Sequence, residues 1–244
     1  MAKKIYTFET IDSTNNCAKA LAGCWAEQGT VVFAEKQTAG RGRLGRNWES
    51  NANENLTFSI ILRPSLPPES VNLLPLFAGV AVAAAVERAT GLKVDCKWPN
   101  DLLVGGKKFA GILLEGSISQ GSVDYVVLGI GINVNQERFA PELKESATSL
   151  RLATGKEIDR VHLFRTIMKS FEDHHARMSR THFQSVVPVW TANTAMLNRE
   201  ITVSLQGTTL SGIARGLSSE GGLILNTEGQ DRTLFAGDVT ILKK

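Results

Sequence analysis

The stretch that most constrains this chain is Leu73 to Val86, LLPLFAGVAVAAAV, which carries no charge at all. A bilayer-spanning helix needs roughly 20 apolar residues, so the segment reads instead as a buried core helix, with Pro75 in its first turn. The helix is expected over residues 73 to 89, ending near Gly91. A helix apolar on nearly every side must be covered by other elements, and at 244 residues the chain can build one full core and a second small one.

The covering elements are mostly strands. Ile5 to Phe8 reads as a short strand, and Asp12-Ser13-Thr14-Asn15-Asn16 offers N-cap chemistry for a helix running toward Ala22. Val31 to Glu35 is a second strand. Asn55 to Leu62 is a third, with the alternation of a half-buried sheet, and Leu92 to Trp98 a fourth. Leu102 to Val104 and Lys107 to Gly116 flank Gly105-Gly106, which suits a tight hairpin, and Tyr125 to Leu128 begins the strand that ends in GIGINVN. Asp159 caps a helix whose Leu163, Phe164, Ile167, Met168 and Phe171 fall at three- and four-residue spacings, a core stripe. Pro188 and the polar TANTA stretch are expected to loosen the chain. From Arg199 onward, about five short strands separated by turns suggest a small barrel. The fold class is therefore α+β: a mixed-sheet domain over residues 1–190, followed by a small β-barrel over 196–244.

The chemistry concentrates in two places. Thr38 to Arg46, TAGRGRLGR, follows the apolar VVFAEKQ and brings Arg41, Arg43 and Arg46 together with Gly40, Gly42 and Gly45. Glycines let the main chain approach a ligand, and guanidinium forks match phosphate or carboxylate, so this loop suits an anion. No Lys-Ser or Lys-Thr pair ends it, which excludes a Walker A loop; an RNA-binding tract or a solvated basic turn stays open on local grounds. The second group is Cys96 to Glu115, CKWPNDLLVGGKKFAGILLE, where a Lys-Trp-Pro-Asn-Asp corner lies opposite the start of the next strand. Lys97 and Lys107 could be surface charges, and Asn100-Asp101 could serve only the turn after Pro99. The DSTN residues could likewise act only as a cap, or could hydrogen-bond a polar ligand.

Composition closes off several classes. A net charge of +3 is too modest for a general nucleic-acid or membrane binder. Cys17, Cys24 and Cys96 form an odd set without CxxC spacing, which suggests neither a disulfide framework nor zinc, and fits a reducing cytoplasm. The start lacks a signal peptide's apolar run. His174 and His175 are adjacent, hence divergent on a helix, and no HExxH surrounds them, so no metal site is expected.

Taken together, DSTN, QTAGRGRLGR with Trp48, KWPND, KKFAGILLE, GIGINVN and the terminal AGDVTIL resemble, in order and over nearly the whole length, the biotin protein ligases. The resemblance implies a biotin/lipoate-ligase-type catalytic domain and an SH3-like terminal barrel. It also implies two half-reactions: biotin and ATP, with Mg2+, give biotinyl-5'-AMP, and the biotinyl group then passes to a lysine of a biotin carboxyl carrier protein or domain. On this likeness Lys108, Arg43 and Asp101 are the catalytic candidates, Lys108 being preferred to Lys107 because it directly precedes Phe-Ala-Gly-Ile-Leu. Ser13, Thr14, Asn15, Gln37 and Arg41 would line the biotin site. Gly40, Arg46 and Trp48 would also contact biotin or biotinyl-5'-AMP, Gly42 and Arg43 would belong to the closing loop, Gly111 and Leu113 to the strand against the ligand, and Gly129, Gly131 and Asn133 to the nucleotide end. DSTN beginning at residue 12 leaves no room for the DNA-reading domain that some members carry, so no DNA partner is expected; dimerisation through a sheet edge remains an option. The rival readings are a lipoate or octanoate ligase, whose substrate would leave the DSTN and Gln37 donors unpaired, and a non-catalytic RNA-binding protein.

Overall fold

The computed structural model describes residues 4–49, 51–205 and 207–241. The termini of the two expected domains, 1–3 and 242–244, lie outside the described residues. The charge-free stretch forms the helix Leu73–Thr90 (α2; α1 is Thr14–Gly23), ended by Gly91 as expected. By length and composition Pro68–Thr90 could cross a bilayer, yet most of it is buried among other elements. Arg160–Met178 (α4, after the short α3, Leu150–Thr154) and Val186–Ala192 (α5) pack on it. Phe77 meets Phe171 and Phe183 edge-on, and Ser170 Oγ donates to the Ala81 carbonyl at 2.7 Å, which ties α4 to α2.

Asp159 caps α4 as predicted, accepting from the His162 amide at 2.9 Å. His174 and His175 diverge: the first bonds the Ser170 carbonyl, and the second packs against Phe77 and Phe183. Pro188 does not loosen the chain. It stands in the first turn of α5, where its missing N–H costs nothing, and buried Trp190 anchors that helix.

One face of a seven-stranded sheet covers α2. Its order is β1-β2-β3-β7-β6-β5-β4, and only β1 (Ile5–Ile11) and β2 (Val31–Gln37) pair in parallel, joined by α1. The third strand, Leu56–Leu62 (β3), is buried on both faces rather than half-buried. Leu56, Phe58, Ile60 and Leu62 face the main core. Ile61 joins Ala18, Ala22, Val32 and Val127 in a second core under α1, an element whose cover the strand's own sequence does not reveal. The strand expected over Leu92 to Trp98 contracts to Asp95–Lys97 (β4), followed by β5 (Asp101–Val104), β6 (Lys107–Ser119) and β7 (Ser122–Ile132).

The five C-terminal strands are present as β8 (Glu200–Leu205), β9 (Thr208–Leu217), β10 (Leu223–Thr227), β11 (Gln230–Leu234) and β12 (Asp238–Ile241). They form an antiparallel sheet in the order β11-β10-β9-β8-β12. Its apolar face, with Ile201, Val203, Leu223 and Leu225, is continuous with the main core. Trp98 fastens the two together by donating from Nε1 to the Gly221 carbonyl at 3.0 Å.

Candidate active site

The arginine loop leaves β2 as a pinched hairpin. Thr38 and Ala39 amides bond the carbonyls of Ile11 and Asp12, the Trp48 amide bonds the Gly40 carbonyl at 3.0 Å, and the Gly42 amide bonds that of Arg46 at 2.7 Å. Gly40 was expected to touch substrate, but among the expected residues it is the one that does not line the cleft. A methyl there would collide with the Trp48 carbonyl, so glycine at this position serves the pinch.

At one end of the cleft the DSTN residues enter a polar chain. Ser13 occupies the N-cap position of α1, yet its side chain makes no capping bond. Gln37 Oε1 accepts from the Thr14 amide at 2.8 Å and from Thr14 Oγ1 at 3.0 Å. Ser59 Oγ lies 2.8 Å from Thr14 Oγ1 and 2.6 Å from Asn15 Oδ1; with one proton it donates to one of them at a time. Asn15 Nδ2 donates to Glu115, whose carboxylate also receives Lys19 Nζ at 2.7 Å and Arg41 Nη2 at 2.9 Å. Burial raises the Glu115 pKa, but the bonds from Lys19 and Asn15 and the charge of Arg41 outweigh it and hold the carboxyl below its ordinary value.

The other end is cationic. Lys108 Nζ sits 2.6 Å from Asp101 Oδ1 and lies over the Trp48 ring, while Lys107 points away to the Lys144 carbonyl. As consecutive residues of one strand, paired in register with Val104 and Leu103, the two lysines point to opposite faces of the sheet. Arg43 donates to Asn100 Oδ1 at 3.1 Å and to the Gly237 carbonyl, and Arg46 pairs with Asp238, so the C-terminal sheet supplies part of the wall. Asn100 is itself fixed by donating to the Ile112 carbonyl at 2.7 Å. Lys97 also lines this cleft and is no surface charge. Burial lowers its pKa; Asp101 opposes that, and Lys108 and Arg46 reinforce it.

Between the two ends the floor is glycine. Gly111, Gly129 and Gly131 stand on β6 and β7, and the Trp48 indole lies against Gly131 where any side chain would collide with it. The cleft measures about 860 Å3 and is lined by Ser13, Thr14, Asn15, Gln37, Arg41, Gly42, Arg43, Arg46, Trp48, Asp101, Lys108, Gly111, Leu113, Gly129, Gly131 and Asn133. Asn133 acts at one remove: its Nδ2 bonds the Thr148 carbonyl, and Thr148 and Ser146 clamp the Lys108 backbone on either side.

Sequence reasoning missed Ser59, Glu115 and Asp238, and it singled out Lys97 and Asn100 within the KWPND corner without giving either a role of its own. Ser59 and Glu115 had a faint signal, each being polar within an apolar strand; Asp238 had none, since its partners lie far away in the chain.

Comparison with known proteins agrees with this geometry. Residues 7–133 match the model of the biotin/lipoate A/B protein ligase family, and residues 196–242 match the biotin protein ligase C terminal domain. The chain is 37% identical over 243 residues to the bifunctional ligase/repressor BirA of Bacillus spizizenii, covering 99% of this chain and 75% of that protein. It is 34% identical to the biotin-[acetyl-CoA-carboxylase] ligase of Paracoccus denitrificans, covering 93% and 96%. Among solved structures, the biotin protein ligase from Aquifex aeolicus in complex with biotin and ATP superposes with a TM-score of 0.83 at 30% identity, covering 99% of this chain and 100% of that one. With a polar pocket, a glycine floor and a cationic end in one cleft, and these similarities along its length, the chain belongs to the biotin/lipoate A/B protein ligase family.

Proposed function

We infer that this chain is a biotin protein ligase: it activates biotin with ATP as biotinyl-5'-AMP and transfers the biotinyl group to a lysine of a carrier protein. One observation carries the reading. A single cleft joins a neutral donor–acceptor chain, suited to a ureido ring, to a cluster of lysines and arginines suited to a carboxylate and phosphates.

In the first half-reaction the biotin carboxylate attacks the α-phosphorus of ATP, the bond to the β-phosphate oxygen breaks, and pyrophosphate leaves. A carboxylate is already ionised near neutral pH, so the step needs position and charge neutralisation more than a base. Thr14, Asn15, Gln37 and Ser13 hold the ring end, and Lys108, Arg43 and Lys97 face the reacting end. Mg2+ belongs here with ATP as substrate: it binds phosphates with one or two carboxylates at most. Among the described residues no three carboxylate, His or Cys groups gather as a built metal centre. In the second half-reaction the carrier lysine's amine attacks the mixed anhydride and AMP leaves. Asp101, which also pairs with Lys108, orients that amine. The three free thiols support a reducing compartment, and residues 1–190 and 196–244 are the catalytic and C-terminal units of this reading.

The test is adenylate formation by the purified chain with Mg2+ and ATP, offered biotin, lipoate and octanoate in parallel. Adenylate with biotin alone is expected. Preference for lipoate would overturn the substrate, and no adenylate with any acid would overturn the activity.

A further inference from the structure

Three oxygen contacts join the polar end of the cleft into one chain: Gln37 Oε1 to Thr14 Oγ1 at 3.0 Å, Thr14 Oγ1 to Ser59 Oγ at 2.8 Å, and Ser59 Oγ to Asn15 Oδ1 at 2.6 Å. Both terminal oxygens belong to carboxamides and carry no proton. The two hydroxyls bring one proton each, so two protons serve three contacts and one contact always goes without. Such a chain is rich in acceptors, and the group that completes it is a donor.

The residue types alone do not impose this shortage. Turning either carboxamide would bring an NH2 group into the chain and supply the missing proton. At one end the Thr14 amide holds Gln37 Oε1 in place at 2.8 Å. At the other end Asn15 is held by Glu115, whose Oε2 accepts from Asn15 Nδ2 at 2.8 Å. A carboxylate has no proton to donate, so Asn15 gives it Nδ2 and leaves Oδ1 toward Ser59 and Gly129. Lys19 on Oε1 and Arg41 on Oε2 keep that carboxylate ionised and fixed. Glu115 itself is not among the residues that line the cleft, whereas Asn15 and Arg41 are. Resting on the reading that biotin is the substrate, the donor that completes the chain is an N–H of the ureido ring. We propose that Glu115 is a positioning residue for biotin: it fixes the polarity of the Asn15 carboxamide and so makes this end of the cleft a receiver of N–H donors.

The test is a double-variant cycle. Biotin is titrated calorimetrically into the full chain, into Glu115→Ala, into Asn15→Ala and into the double variant. Asn15→Ala is expected to weaken biotin about tenfold in the parent chain and less than about threefold in Glu115→Ala, where the unheld carboxamide has already lost its orientation. The cycle isolates the route through Asn15 from anything lost by releasing Arg41. Glu115→Gln keeps an oxygen for Asn15 and Arg41 and should stay within about threefold of the parent. Lys19→Met breaks an ion pair of the same carboxylate away from the cleft lining, and should change biotin affinity by less than about twofold. Running the cycle with Glu115→Met, which fills the volume, keeps the test available if the alanine variant does not fold. Equal losses from Asn15→Ala in the two backgrounds, or a loss in Lys19→Met as large as in Glu115→Ala, would overturn the proposal while leaving the ligase reading intact. A parent chain that binds no biotin would overturn the ligase reading and the proposal together.

Discussion

Replacing Asp101 by Asn should pull the two half-reactions in opposite directions. Asp101 Oδ1 lies 2.6 Å from Lys108 Nζ, with side chains 20% and 34% exposed, and burial lowers the pKa of Lys97 and Arg43 while the charge of the same carboxylate partly opposes that fall. Two unit charges about 4 Å apart attract by ~4 kcal/mol at an effective dielectric of about 20. Desolvation and screening at this exposure reduce the net to ~1–2 kcal/mol. An incoming triphosphate has to compete with that carboxylate for the lysines, so its removal should tighten ATP up to about tenfold. The acceptor amine meanwhile loses the group that orients it, which should slow transfer by about a hundredfold. Pyrophosphate release with biotin and ATP reports the first step. Single-turnover transfer from preformed biotinyl-5'-AMP to a carrier domain reports the second. Equal loss in both steps, or weaker ATP binding, would refute the argument.

Two further perturbations test the polar end and the floor. The folded-state pKa of Glu115 lies below its ordinary 4.5, so its stabilisation is present above that value and is lost as pH falls through the folded pKa. Glu115→Gln should therefore cost ~1 kcal/mol at neutral pH and progressively less as pH falls through the folded pKa, which urea unfolding over a series of acidic pH values would check. Gly131→Ala places a methyl where the Trp48 indole lies, and should keep the fold while displacing the ring at a cost of ~1–3 kcal/mol. Biotin titration should then show at least about a tenfold loss, and unchanged affinity would contradict the placement of Trp48 in the cleft.

The sequence by itself determined the local elements and the kinds of chemistry on offer. An uncharged apolar run had to become the buried α2, Asp159 had to cap α4, and the glycine and arginine content of residues 38–46 had to make an anion-competent loop. Each of these is decided by residues a few positions apart, through periodicity, capping and turn chemistry. The family motifs also marked many of the residues that line the cleft, though not Thr57, Gln136 or those between Phe139 and Ala147. Tertiary structure decided what those residues are bonded to. DSTN reads locally as a helix cap, and only the arrival of β2, β3 and β6 beside α1 recruits Thr14 and Asn15 to Gln37, Ser59 and Glu115 instead. The burial of both faces of β3 and the loop's anchoring by Asp238 depend equally on strand register and on one sheet meeting another. A partner brought from the other end of the chain leaves no mark on the neighbours of the residue it meets, because nearby residues fix dihedral angles and periodic faces, while bonds across the cleft are set by packing.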